Sequence, residues 1–289
     1  MNVLSLFDGI ACARVALDRA DLPVKTYVAY EIDPHASKVA LKNYPSIVHH
    51  GDVTTCRDPL PIDLLIGGSP CTDLSIAKKN RKGLQGDKSK LFWEYVRILK
   101  LMKPTWFILE NVASMPAADR DVITAELGVQ PIMIDAALVS AQIRRRLFWT
   151  NIPVVGLPED KHILLKDIME PHPSPDPAMA NVVLRIPEAT KKGYAEAREG
   201  QSVDLSFPNS KTRRGRVGDK AKNLMTSSTI GVVSNGQIRP LTPVECERLQ
   251  GLPDNYTDCI STTQRSKCLG NAFNVDVIAF LLKHIPKTE

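Results

Sequence analysis

Short apolar runs at 3–6, 26–30, 47–49, 64–67, 107–109, 132–134 and 147–150 punctuate the first half of the chain. Between them, at 13–19, 35–43, 91–102 and 119–127, apolar residues recur every three or four positions. Uninterrupted apolar runs of strand length suit strands covered on both faces, and the intervening period suits helices with one apolar stripe. A parallel strand is reached only through a crossover, so the alternation predicts βαβ units with connections of ordinary length. The expected fold class is α/β: a doubly wound, mostly parallel seven-stranded sheet.

From about Val155 the texture changes. Pro158, Pro171, Pro173, Pro175, Pro177, Pro187 and Pro208 interrupt any long element, and polar residues dominate. This predicts a small separate lobe or, in part, a mobile loop system. Regular patterning resumes at Leu241, where TPVECERLQGLP reads as a helix with Thr242 as N-cap, Pro243 in the first turn, Glu245 closing a capping box and Gly251 as terminator. A last amphipathic helix is expected at 275–282. The expected division is a catalytic domain at 1–155, a lobe at 156–237 and a segment at 238–289 that returns to the first domain.

With 43% hydrophobic and 24% charged residues in 289, the composition is that of a chain able to bury a core, which excludes wholesale disorder or a fibrous repeat. No apolar run approaches the length of about 20 residues that a membrane span needs, and MNVLSLFDG has no basic region ahead of an apolar one. An intracellular location is therefore expected, cytoplasmic in a bacterial or phage setting and nuclear in a eukaryotic one, with no membrane partner. Six cysteines without CxxC or CxxH spacing argue against a zinc site or a disulfide scaffold, and no metal is expected. The net charge of +5 does not by itself identify a nucleic-acid partner, but its distribution is uneven.

Candidate chemistry gathers where strands end. Gly9, just after the first strand, lets the backbone turn tightly beside a ligand, and Glu31 follows 22 positions later, where a carboxylate can hold ribose hydroxyls. Asp52 after the third strand can accept from an adenine amine. The competing reading is that these acids cap loops. No GxGxxG or P-loop cradle is present, so a phosphate-free adenosyl ligand, S-adenosylmethionine, fits better than NAD or ATP. The fourth strand delivers Gly68-Ser69-Pro70-Cys71, the next ends in Glu110-Asn111-Val112, and period-two alternation in QIRRRLFW places Arg144 and Arg146 on one face. Together a thiol, a carboxylate and paired arginines suit covalent activation of an electron-poor ring. The thiolate would add to carbon 6 of cytosine while Glu110 serves ring nitrogen 3, which makes carbon 5 nucleophilic.

These motifs, in order FDGIA, Glu31, Asp52, GGSPC, ENV, QIRRR, RPLTPVECERLQGLP and GNAFNVDVI, resemble those of the cytosine-C5 DNA methyltransferase family. VLSLFDGIA, DLLIGGSPCTDLSIAKKNRKGL, KLFWEYVRIL, MIDAALVSAQIRRRLFW and LPDNYTD are similar to the catalytic domain of the de novo type. The likeness covers about 1–153 and 238–289. It implies a Rossmann-like S-adenosylmethionine-dependent fold with a target-recognition lobe, S-adenosylhomocysteine as product, and Cys71 as nucleophile. It further implies Glu110 at ring nitrogen 3, and Arg144 with Arg146 as anchors of the base and the thiol. Cofactor contacts are implied for Phe7, Asp8, Gly9, Ile10, Ala11, Glu31, Ile32, Asp52, Val53, Pro70, Asn271 and Phe273. Ala11 departs from a glycine common in bacterial members, and Asn274 and Asp276 from prolines.

A base inside a duplex must be flipped out to meet a thiolate, and a loop usually closes behind it. The stretch 75–90 fits that loop, with Ser75, Lys79, Arg81 and Lys82 as candidate contacts to double-stranded DNA. The other basic concentration, 211–222, carries a local excess of +5 and includes Arg213, Arg214 and Arg216. Thr226, Ser227 and Ser228, just before the capped helix, are candidate base readers. Alternatives are a tRNA cytosine-C5 methyltransferase and a catalytically silent DNA-binding paralogue. The expected enzyme is a monomer or weak homo-oligomer of bacterial or phage origin, working alone or in a restriction-modification pair.

Overall fold

The computed structural model describes residues 1–70, 91–172, 174, 176–179, 181–227 and 229–286. Contacts among them divide the chain into two compact units, the first comprising 1–135, 145–157 and 275–289, the second 136–144 and 158–274.

The first unit holds seven strands, β1 (Asn2–Leu6), β2 (Thr26–Tyr30), β3 (Val48–His50), β4 (Leu64–Gly67), β5 (Trp106–Val112), β6 (Ile132–Asp135) and β7 (Arg145–Thr150). They lie side by side in the order β3-β2-β1-β4-β5-β7-β6, with β7 antiparallel to both neighbours and the other pairings parallel. The order reverses between β1 and β4, and the carboxyl ends of strands flanking such a switch point form a crevice in doubly wound sheets. Four helices, α1 (Cys12–Arg19), α2 (Pro34–Asn43), α3 (Leu91–Met102) and α4 (Ala117–Leu127), run between strands, as the period predicts. Leu4, Leu6, Leu65, Phe92, Tyr95, Ile98, Leu109 and Trp149 form the buried centre, and the Tyr95 hydroxyl donates to Ile108 O at 3.0 Å. Strand β5 continues past 109 because its far end pairs with β7 alone, Glu110 opposite Phe148 and Val112 opposite Arg146.

The second unit holds ordered strands where the proline-rich texture leaves open a small lobe or, in part, a loop system. It contains a hairpin of β8 (Leu184–Pro187) with β9 (Tyr194–Ala197) and a four-stranded antiparallel sheet. That sheet comprises β10 (Ser202–Asp204), β11 (Val217–Gly218), β12 (Ile230–Ser234) and β13 (Gln237–Pro240). Helix α5 (Pro243–Leu249) has the predicted capping box: Glu245 N donates to Thr242 Oγ1 at 3.1 Å and Thr242 N to Glu245 Oε2 at 2.9 Å. A further helix, α6 (Thr262–Asn271), was not expected, since its sequence TTQRSKCLGN buries only Cys268 and Leu269. Leu241 and Leu249 share one core with Ala141, Leu165, Ala221, Leu224, Ile230 and Val232. The contact division therefore keeps 238–274 in the second unit, and only α7 (Val275–Leu282) belongs to the first, against the expected return at 238. Helix α7 packs on α1, with Arg19 Nη1 2.9 Å from Asp276 Oδ1.

Among the described residues no helix is long and apolar enough to cross a membrane. Among the same residues no three His, Cys, Asp or Glu side chains cluster as metal ligands.

Candidate active site

Three strands of the first unit end beside one another in tight turns. After β1 the chain passes through left-handed conformations at Phe7 (φ 57°), Gly9 (φ 62°) and Ala11 (φ 61°) before entering α1. Glycine accepts this backbone without steric cost, whereas alanine at position 11 holds it under strain of about 1–2 kcal/mol. A Cβ at Gly9 would meet nothing within 4 Å, so the surface above its backbone is open to a ligand.

Glu31 organises this edge. Its Oε2 accepts from Gly9 N (2.9 Å) and its Oε1 from Ile32 N (2.9 Å) and Asp33 N (2.8 Å). Its own amide donates to His50 O (3.1 Å), which links the ends of β2 and β3. Asp52 Oδ1 accepts from Thr54 N at 2.9 Å, and this hydrogen bond holds the exposed carboxyl below its ordinary range. Both acids thus do cap loops, while facing the edge where a ligand would lie. Ile32 is 74% exposed and presents an apolar face beside Glu31.

The candidate cofactor residues divide into two kinds. Gly9, Glu31, Ile32, Asp52 and the half-buried Pro70 and Phe7 are reachable, whereas Asp8, Ile10, Ala11 and Val53 turn their side chains into the protein, leaving backbone atoms for any contact. Asn271, exposed, and Phe273, buried, belong to the second unit. Asp8 is the chemically unusual member. Its Oδ1 accepts from Tyr27 Oη at 2.6 Å and its buried Oδ2 meets no partner among the described residues. Burial raises its pKa to about 6, against the hydrogen bond from Tyr27 and with help from the charge of Glu31.

The next strand ends carry the other candidate chemistry. Gly67 pairs with Leu109, so Ser69 and Pro70 leave the sheet beside Glu110. A Cβ at Gly67 would sit 2.8 Å from Leu6 O, so the close approach of β1 and β4 at this end requires glycine. Arg146 Nε lies 2.7 Å from Glu110 Oε1, both side chains being mostly buried, which fixes the carboxylate in place. Asn111, fully buried, donates from Nδ2 to Ser69 Oγ (3.1 Å) and Ser69 O (3.3 Å), while its Oδ1 accepts from Val112 N (2.8 Å). It grips the chain two residues ahead of Cys71, a role missed in the sequence although ENV was singled out. The only hint available there was an amide next to the candidate carboxylate. Cys71, Ser75, Lys79, Arg81, Lys82 and Ser228 lie outside the described residues.

Along the QIRRR segment Arg144 is 4% exposed and the Arg146 side chain 14%, with Arg145 between them at 67%, as the period-two alternation expects, but the two guanidiniums take different partners. Strand β7 begins at Arg145, and Arg144 belongs to the second unit. There its buried guanidinium donates through Nη1 to Asn223 Oδ1 (2.7 Å) and through Nη2 to Ala272 O (2.7 Å). It secures the GNAF turn. The departures noted in this motif are employed: Asn274 Nδ2 donates to Leu249 O at 3.0 Å, and Asp276 pairs with Arg19.

The basic concentration at 211–222 is corrected in part. Arg213 and Lys222 both bind the buried carboxylate of Asp204, at 2.7 and 3.1 Å. Arg216 is buried and donates to the carbonyls of Asp204, Ser206 and Phe207, and Lys220 Nζ donates to Ala137 O at 2.6 Å. These cations build the lobe, whereas Lys211 and Arg214 are exposed. Thr226 and Ser227 are exposed on a segment that Gly270 supports, where a Cβ would come within 2.6 Å of the Met225 carbonyl.

The sheet order, with β7 antiparallel between β5 and β6, is that of a doubly wound α/β fold with its acidic residues at the strand ends. The structure superposes on the S. pombe Dnmt2 methyltransferase with a TM-score of 0.64 and 15% identity over 97% of this chain and 96% of that one. The chain belongs to the C-5 cytosine-specific DNA methylase family, whose sequence profile matches residues 1–150 and 151–287. It is 31% identical to the Type II methyltransferase M.NgoBV of Neisseria gonorrhoeae over 63% of this chain and 46% of the relative. It is 26% identical to the Type II methyltransferase M.DsaV of Dactylococcopsis salina over its whole length and 88% of the relative. The match thus spans about half the length of the Neisseria relative.

Proposed function

We propose that the protein is a DNA cytosine-C5 methyltransferase that uses S-adenosylmethionine and a covalent adduct through Cys71. The observation that carries the reading is the Glu110–Arg146 pair at 2.7 Å, in a β5 whose neighbour β4 leads through the gripped Ser69 to Cys71. Membership of the family and the Type II names of its relatives support DNA as substrate and a bacterial setting, with or without a partner nuclease.

The residues at the β1–β3 edge suit the donor. S-adenosylmethionine carries a sulfonium and an ammonium, and an edge with Glu31, Asp52 and the orphaned Oδ2 of Asp8 favours a cation. The open backbone at Gly9 admits close approach, Glu31 would face the ribose and Ile32 the adenine ring. When bound, the cofactor supplies the methyl group.

Every other step falls to the chain. Cys71 as thiolate adds to carbon 6 of a flipped cytosine, and the electron pair displaced onto the ring is stabilised by a proton that Glu110 holds at ring nitrogen 3. Arg146 keeps Glu110 in one orientation. Asn111 fixes the approach of the segment carrying the thiol. After transfer, loss of the proton on carbon 5 expels the thiolate and restores the ring. Thr226 and Ser227 read bases, and the enzyme acts in the cytoplasm as a monomer or weak oligomer.

The test is to incubate the purified protein and its Cys71→Ala variant with S-adenosylmethionine and unmethylated mixed-sequence duplex, then to read cytosine modification base by base. Modification by the wild type alone is the expected outcome. Modification of tRNA in place of DNA, or none of either by a folded protein, overturns the proposal.

A further inference from the structure

The loop joining β10 to β11 presents an aromatic side chain with no place in any core. Phe207 is 72% exposed and adopts φ 50°, a left-handed conformation that a bulky side chain avoids because its Cβ meets the neighbouring carbonyl. Such a conformation persists only where the surroundings impose it.

Here they do. Beneath the loop lies Asp204, whose burial works against its charge, yet hydrogen bonds from Ser206, Arg213 and Lys222 hold its pKa down at about 2. Arg216, buried, donates from Nη1 to Asp204 O and Ser206 O, each at 3.0 Å, and from Nη2 to Phe207 O. Ser210 N donates to the same carbonyl at 3.0 Å. The Arg213 guanidinium, tied to Asp204, lies 5.4 Å from the centroid of the Phe207 ring. An ionic framework thus raises one phenyl ring into solvent and stiffens it. Further along the same loop Lys211 and Arg214 are both exposed, with Arg214 oriented by a 2.7 Å hydrogen bond from Nε to Ala189 O. An aromatic face flanked by cations matches a base stack flanked by phosphates.

We propose that Phe207 is a wedge that stacks against the bases of duplex DNA, with Arg214 and Lys211 on the adjoining phosphates. The proposal rests on DNA being the substrate. It assigns the 205–216 loop a contact that is independent of the base-reading segment at 226–227.

Fluorescence anisotropy with a mixed-sequence duplex, measured across a salt series alongside methylation, tests it. Phe207→Ala is expected to weaken duplex binding about 10- to 100-fold, the size of one base stack, with an unchanged salt slope. Phe207→Leu keeps a wedge and retains most of the affinity, and Arg214→Ala lowers the salt slope by about one. Thermal unfolding of Phe207→Ala should match that of the wild type, since the ring is exposed. Wild-type methylation with Phe207→Ala equal in binding and rate overturns the wedge and leaves the DNA methylation reading intact. A wild type that neither binds nor methylates duplex overturns both. Concentration-dependent self-association abolished by Phe207→Ala, with DNA binding unaltered, assigns the ring to a second copy of the chain and overturns the wedge.

Discussion

Replacing Asp8 by asparagine tests whether the first turn of the sheet stores electrostatic cost for the benefit of a ligand. The carboxyl is 4% exposed, accepts from Tyr27 Oη and is pushed by burial to a pKa of about 6, from an ordinary 3.8. Because the folded chain binds this proton more tightly than the unfolded chain, the contribution to stability is complete below pH 3.8, declines as pH rises and is lost above about 6. The gap between those two values corresponds to about 3 kcal/mol. The substituted amide would carry no charge at any pH while its carbonyl oxygen still accepts from Tyr27. Urea unfolding of the cofactor-free protein should therefore show Asp8→Asn more stable than the wild type at pH 8 by up to about 3 kcal/mol, with the difference closing towards pH 4. The same charge favours a cationic donor, so the variant should bind S-adenosylmethionine more weakly at pH 8. A stability difference that does not vary with pH, or a variant less stable at pH 8, refutes the reasoning.

Arg146→Ala leaves the mostly buried Glu110 without its partner, and should lower the single-turnover methylation rate by about 100-fold or more while duplex affinity changes little. Asn111→Ala removes both hydrogen bonds to Ser69, so about 1–3 kcal/mol should be lost in chemical unfolding, with kcat falling more than KM for DNA rises. Gly270→Ala would gain about 1 kcal/mol of helix propensity in α6. Its Cβ, however, would stand 2.6 Å from backbone atoms of Met225, and such overpacking costs about 1–3 kcal/mol. The expected result is lower stability by thermal unfolding and an altered sequence preference at the 225–227 segment.

The sheet of the first unit was legible because its central strands β1, β4 and β5 carry buried apolar runs and α3 keeps a regular stripe. Even there, the continuation of β5 through Glu110 to Val112 depends on a partner, β7, that local sequence does not name. The α5 cap was legible because Thr242, Pro243 and Glu245 act within one turn. Strands β8 to β11 were not, since each spans two to four residues between prolines and glycines and gains its stability from distant partners. Arg144 illustrates the limit at the candidate site: period-two alternation turns it inward, but it does not name its partners, Asn223 and Ala272, which lie 79 and 128 residues away. Arg216 looked like a phosphate contact because the carbonyls it serves are invisible in a charge count.

The chain passes between its two units four times, at 135/136, 144/145, 157/158 and 274/275. The short excursion at 136–144 is not a bystander: Ala141 sits in the second unit's core, and Gln142 Oε1 accepts from Leu224 N at 2.9 Å while Gln142 Nε2 donates to Leu249 O at 3.2 Å. The second unit therefore cannot be transplanted as one cassette. A chimera that exchanges 158–274 alone inherits a foreign plug in its interior, and a productive swap has to carry two separated segments of sequence, so recombination has few clean breakpoints through which this unit could be replaced.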